Sequence, residues 1–143
     1  KFKYVKNFVD FRVDYDTYSK SALAFEKQLN KKTKKSIDEL SSDVQNFGAY
    51  SLCNYIEYVQ EGLPYLQTQN ITDNIIHFYN TPFITKEVHD LLWKSHCRKG
   101  QVLLTMAGAY LGKSAVYNKD FICSSNQAIA TITLKENSIN PYF

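Results

Sequence analysis

Cysteine is scarce in this 143-residue chain: Cys53, Cys97 and Cys123 are the whole set, odd in number and widely spaced. They build neither a disulfide framework nor a metal knuckle, both of which need paired, closely spaced ligands. Long apolar runs are also missing. The longest largely apolar stretch, Val102 to Leu111, falls far short of the roughly 18–20 residues a membrane span requires. Lys1-Phe2-Lys3-Tyr4 leads into Asp10, Arg12, Asp14 and Asp16, which excludes the apolar core of a signal peptide. The chain opens without Met, as a fragment does. The expectation is a soluble, cytoplasmic domain with no membrane partner.

What is present is aromatic. Hydrophobic residues make up 44% and charged residues 22%, enough to bury one core and too apolar for disorder. The length suits one domain. Eleven Tyr and nine Phe stand out; Tyr joins a large ring to a polar tip and suits a contact surface. Codon usage in a low-GC genome accounts for the same surplus.

Charge is uneven. Residues 1–35 carry ten Lys/Arg against four acids, ending in Lys31-Lys32-Thr33-Lys34-Lys35, whereas residues 36–93 carry eight acids and one Lys. Residues 94–119 then hold Lys94, Arg98, Lys99, Lys113 and Lys119 with no acid at all. Such a run has the footprint of a phosphate-binding surface. A solvated face is the blander reading.

Periodicity predicts early helices and late strands, an α+β domain. Tyr18, Ala22, Phe25 and Leu29 form a one-sided stripe on a helix over 18–30, and Ser36 to Glu39 a capped turn. Gln45 to Gln60 reads as an aromatic loop. Short strands are expected at 65–69 and 75–79, then a helix capped by Thr85 and running to Ser95, with Val88, Leu91 and Leu92 buried. After Gly100 the period becomes two. Val102 to Ala107 predicts a strand covered on both faces, followed by strands at 114–117, 121–123 and 128–135. No repeat or low-complexity segment appears.

Several chemical motifs fail on inspection. Gly108-Ala-Tyr-Leu-Gly112-Lys113-Ser114 imitates a P-loop, but only three residues separate its glycines and a strand, not a helix, is expected to follow. Asn140-Pro141-Tyr142-Phe143 resembles the Asn-Pro-Pro-Tyr/Phe loop of adenine methyltransferases without its second proline, and no Gly-rich cofactor loop precedes it. No acid is followed two positions later by Lys, as a metal-dependent restriction-nuclease core requires. His77, His89 and His96 lack ligand spacing and read as surface histidines. No catalytic residue, metal site or cofactor is expected.

The order of the remaining pieces is more specific. Gly62-Leu63-Pro64-Tyr65-Leu66-Gln67-Thr68-Gln69-Asn70-Ile71 resembles the "Gly-Ile-Pro-Tyr/Phe-Leu/Ile-Arg-x-x-Asp/Asn-Ile" strand of the specificity subunits of type I restriction–modification systems. Gly100-Gln101-Val102-Leu103-Leu104-Thr105 resembles that family's "Gly-Asp-Ile-Leu-hydrophobic-Thr" strand, and Gly108 to Lys113 its "Gly-x-Ile-Gly-Lys" turn. Ser124-Ser125-Asn126-Gln127-Ala128-Ile129-Ala130 is similar to "Ile-Asn/Ser-Gln-Asn/Ala-Ile/Leu", and Ile139 to Phe143 to the stretch leading into the family's spacer helix. Gln67 replaces the frequent Arg and Gln101 the frequent Asp. The likeness covers residues 45–143; residues 10–44 fit loosely.

The resemblance implies a single target-recognition domain, excised or from a half-length subunit. A helical lead-in over 1–44 would precede a recognition core over 45–143, with a mixed, twisted β-sheet in the C-terminal two-thirds. It implies a non-catalytic component of bacterial defence against foreign DNA. Such a component reads one half of a split double-stranded DNA site and positions partner methylation and restriction subunits, with self-association if the subunit is half-length. Phosphate anchoring falls to Lys94, Arg98, Lys99, Lys113 and Lys119. Base reading falls to Tyr50, Asn54, Tyr55, Gln67 and Gln69, because Asn and Gln pair two-fold with an adenine edge. The recognition domain of a fused restriction–methylation enzyme has the same motifs. From other classes, a Tyr-rich protein- or glycan-binding module and an enzyme using His89, His96 or Cys97 stay open.

Overall fold

The computed structural model describes residues 19–31, 35–48, 50–72 and 74–142, the side chains of Leu29 and Tyr50 excepted. Arg12, Asp14, Tyr18, Lys32, Thr33 and Lys34, which entered the expectations above, lie outside the described residues. The chain divides into two compact units, Lys1–Ser36 and Ile37–Phe143. In the first, α1 (Lys20–Leu29) begins where Ser19 Oγ accepts the Ala22 N–H at 3.2 Å. Of its expected apolar stripe, Ala22 is half-buried and Phe25 is 62% exposed.

The second unit runs α2 (Ile37–Leu40), β1 (Ser41–Gln45), α3 (Tyr50–Cys53), β2 (Tyr58–Val59), β3 (Leu63–Leu66), β4 (Ile71–Thr72), β5 (Ile75–Ile76), β6 (Phe83–Ile84), α4 (Lys86–Leu91), β7 (Val102–Thr105), β8 (Ser114–Val116), β9 (Ser124–Ser125) and β10 (Ile129–Leu134). The architecture is α+β, as the periodicity predicts. The strands form two four-stranded sheets, ordered β1-β10-β7-β8 and β2-β6-β3-β9, and a β4-β5 ribbon. The first sheet is antiparallel throughout, while the second joins β3 to β9 in parallel. β1 pairs with β10 within the compact unit Ile37–Phe143.

Alternation along β7 buries Leu103 and Thr105 on one face. Cover on the other face is partial: Val102, Leu104, Ile132 and Leu134 line an open apolar groove with Ile37 and Leu40. The alternation of β3 divides the interior. Leu66 enters a core with Ile71, Leu103, Ala115, Tyr117 and Ile129. Its neighbour Tyr65 faces the other way, into a core with Phe47, Ile84 and Leu92. Asn70 closes the turn after β3. Its Oδ1 accepts the Gln67 N–H at 2.8 Å, and its Nδ2 donates to the His77 carbonyl at 3.0 Å and Thr81 Oγ1 at 3.2 Å.

Local expectations fail where tertiary contacts decide. The helix after the Thr85 cap stops at Leu91 and continues as a 3-10 turn, Trp93–Ser95. From Lys86 to Ser95 the buried residues are His89, Leu92 and Ser95, while Val88 is half-buried and Leu91 is 44% exposed. Met106 leaves β7 and is 42% exposed. The strand expected at 121–123 falls on Ser124–Ser125, leaving Ile122 56% exposed and Phe121 partly exposed against the rings of Phe78 and Tyr117. Seryl side chains sit there because both find buried polar partners, His89 Nδ1 for Ser124 and the Ser95 carbonyl for Ser125.

Gly62 precedes β3 at its pairing with β6. A Cβ there would collide with the backbone carbonyl oxygen of Ile84 and lie 3.1 Å from Val59 Cγ2. Gly62→Ala is expected to cost about 1–3 kcal/mol, read as a lower urea midpoint at unchanged slope. An unchanged midpoint would mean that the β3–β6 pair relaxes freely.

Candidate functional site

The acid-free basic segment folds around the β7–β8 hairpin. At its base, buried Gln101 fixes the turn that carries Arg98 and Lys99. Gln101 Oε1 accepts the Arg98 N–H at 2.7 Å, and its Nε2 donates to Thr133 Oγ1 at 2.9 Å. Gly100 takes φ +89°, a conformation that glycine adopts without strain, and donates to the Tyr117 carbonyl at 2.8 Å. Beyond β8 the chain returns through Lys119 and Asp120. The two turns enclose a cleft of about 360 Å³ lined by Arg98, Lys99, Lys119, Asp120, His89 and His96, among others. Lys99 Nζ meets Asp120 Oδ1 at 2.7 Å, with both side chains largely exposed. Such a pair contributes little to stability and exchanges readily for another anion. Among the described residues, Arg98 and Lys119 form no ion pair.

Two imidazoles stack against this basic rim. The rings of His89 and His96 lie 3.7 Å apart and 5° from parallel. His96 Nε2–H donates to the His89 carbonyl at 2.8 Å, and His89 Nδ1 pairs with buried Ser124 Oγ at 2.7 Å. Burial, with the neighbouring His96, holds the His89 pKa below the usual histidine range. The Cys97 thiol is pushed well above its usual range by its hydrogen bond with Cys123 and by burial. Cys97 is therefore a neutral thiol, which argues against a nucleophilic role. Among the described residues no cluster of His, Cys, Asp or Glu could hold a metal ion, and no helix is long and apolar enough to cross a membrane.

The other residues expected to touch a ligand divide into separate groups. Lys94, in the Trp93–Ser95 turn, places its ammonium 5.2 Å from the centre of the Trp93 ring. Lys113 stands at the far end of the hairpin, next to Gly112 and exposed. Tyr50 opens α3, and Asn54 and Tyr55 follow it in an exposed turn. Gln67 and Gln69 do come together. Gln69 Nε2 donates to Gln67 Oε1 at 3.1 Å, and Gln67 Nε2 donates to Tyr58 OH at 3.3 Å. This polar chain follows the end of β3 at Leu66, opposite the end flanked by Cys123 and the cleft.

Sequence reasoning missed Tyr58, Gln101 and the histidine stack. Tyr58 offered no signal beyond its place in an aromatic segment. Gln101 stands at a family motif position, but its task is internal. His89 and His96 are seven apart, the spacing of two helical turns, yet their stacking involves a His96 that lies beyond the helix, in extended backbone after the Trp93–Ser95 turn.

No family model matches the sequence, and neither does any curated protein. Among solved structures, the HsdS subunit from Thermoanaerobacter tengcongensis matches with a TM-score of 0.50 at 16% identity. The match covers 76% of this chain and 24% of that one, so this chain corresponds to about a quarter of the larger protein. At that identity the shared property is the fold.

The lowered His89 pKa carries a sign. In the unfolded chain His89 titrates near 6.5, and in the folded chain lower. As pH falls from about 6.5, the unfolded state therefore takes up the proton first, and stability is lost until pH passes the folded-state value. The urea midpoint of the wild type is expected to fall more between pH 7 and pH 5.5 than that of His89→Asn, whose amide can keep the bond to Ser124. Equal falls would show that burial does not perturb His89.

Proposed function

We propose that this chain is a double-stranded DNA target-recognition domain of the type I specificity-subunit kind, with Ile37–Phe143 as its recognition core. The observation that carries the reading is the basic cleft. Arg98 and Lys99 are brought to Lys119 by the β7–β8 hairpin, in a segment with no acid from residue 94 to 119. Two lines support it independently: the ordered sequence motifs of the specificity-subunit family, and a fold shared with an HsdS subunit, a type I restriction–modification specificity subunit.

In this reading the cleft anchors phosphates. Base edges are read by the exposed amides of Gln67 and Gln69 with Asn54, Tyr50 and Tyr55. Lys94 and Lys113 extend the phosphate contacts on either side. The domain performs no chemistry itself; partner methylation and restriction subunits act on the site that it selects. A half-length subunit would self-associate to read both halves. The recognition domain of a fused restriction–methylation enzyme would use the same surface.

Selection from a random duplex pool at two salt concentrations tests this, with the chain fused to a dimerising helix for avidity. Enrichment of a short motif, with affinity falling steeply as salt rises, is expected. No enrichment and no salt dependence would return the exposed tyrosines to a protein- or glycan-binding role. Arg98→Ala with Lys119→Ala should weaken binding to all sequences alike and flatten the salt slope by about two units. Gln69→Ala or Asn54→Ala should leave that slope intact and relax preference at one position by about 1–3 kcal/mol. An intact motif in both variants would remove them from base reading.

A further inference from the structure

The far end of the β7–β8 hairpin carries an apolar tip that the phosphate and base contacts above do not use. Leu111 is 68% exposed, Met106 42% and Tyr110 36%. Gly108 and Gly112 bracket the tip at φ +83° and +81°, and a Cβ on either would meet nothing within 4 Å. Both glycines therefore serve the backbone path, which lifts residues 109–111 off the sheet.

The tip is held rigidly. The Leu111 N–H donates to the Gly108 carbonyl at 3.2 Å, and the Lys113 N–H to the Tyr110 carbonyl at 3.0 Å. Beneath them lies Thr105, 1% exposed, whose Oγ1 bonds to the Tyr110 carbonyl and, at 3.0 Å, to the Lys113 carbonyl. The Gly112 N–H returns to the Thr105 carbonyl at 2.9 Å. A turn fixed in this way presents Leu111 without an ordering cost on binding. Lys113 is exposed at its base, in the segment from residue 94 to 119 that carries no acid.

We propose that Leu111 is a wedge that enters a base step of duplex DNA from the minor groove, flanked by Met106 and Tyr110, while Lys113 faces the adjoining phosphate. Rigid apolar side chains beside cations part base steps in this way. The four residues of β7 span about 14 Å between the turn that carries Arg98 and Lys99 and the start of the tip, roughly four base-pair rises along the axis of a duplex. The inference rests on the DNA-recognition reading and adds to it a deformation of the target, so sequence preference would arise at a flexible step that no side chain reads directly.

The test uses the full chain with a 20-base-pair duplex of the selected motif, carrying 2-aminopurine at each position in turn. Wild-type binding is expected to raise fluorescence at one step. Leu111→Ala should abolish that rise and weaken binding at least roughly tenfold at an unchanged salt slope, whereas Leu111→Met should retain both. All three proteins should share one urea midpoint, since Leu111 is exposed. A rise that survives in Leu111→Ala, or no rise at any step with the wild type bound, overturns the wedge and leaves DNA recognition standing. Leu111→Ala that keeps DNA binding but loses a partner subunit assigns the tip to protein docking and overturns it equally. Failure of the wild type to bind any duplex overturns the recognition reading itself.

Discussion

Two residues of parallel pairing hold the second unit together. Tyr65 and Leu66 in β3 lie against Ser124 and Ser125 in β9, across nearly sixty residues of chain. The backbone bond from the Asn126 N–H to the Leu66 carbonyl, at 2.8 Å, extends the tie. Since Leu66 and Tyr65 point to opposite faces, this one contact closes both cores. It also fixes His89 through Ser124, and so the wall of the basic cleft. Loop closure over such a length costs entropy that only the combined burial on both faces offsets.

The buried polar residues show how the molecule separates architecture from contact. Asn70, Gln101, Thr105 and Ser124 all lie in the motifs that resemble the specificity-subunit family, and all are buried and hydrogen-bonded within the protein. A buried amide or hydroxyl without such partners would cost about 1–3 kcal/mol. The motifs therefore encode the turns and ties of the fold. The false P-loop is a case in point: its glycines shape a turn, and Lys113-Ser114 leads into β8 rather than a helix. Gln101 also shows why an amide serves where the family often has Asp. It accepts the Arg98 N–H as a carboxylate would, and its second function donates to Thr133.

Elements with a local signature were legible in the sequence. The Thr85 cap, the alternation of β7 and the break at Gly100 each state their conformation within a few residues. Pairing over distance was not. β1 and β9 are short polar segments, Ser-Ser-Asp-Val-Gln and Ser-Ser, that become strands only because β10 and β3 offer free edges. The candidate site divides likewise. The acid-free run was readable as charge, but its gathering of Arg98 and Lys99 with Lys119, and its separation of Lys94 and Lys113, depend on the hairpin. The link of Gln67 to Tyr58 depends on β2 and β3 both pairing with β6.

Tyr58, Gln67 and Gln69 form a polar chain at the surface of this frame. Asn70 secures the turn by accepting the Gln67 N–H, and the Gln67 side chain completes a capping box with the Asn70 backbone. Exchange of exposed residues of this kind shifts stability by only about half a kcal/mol. A lineage could therefore drift through many combinations at these positions without ever passing through an unfolded intermediate. The scaffold behaves like a socket whose exposed inserts can change one substitution at a time while the fold persists.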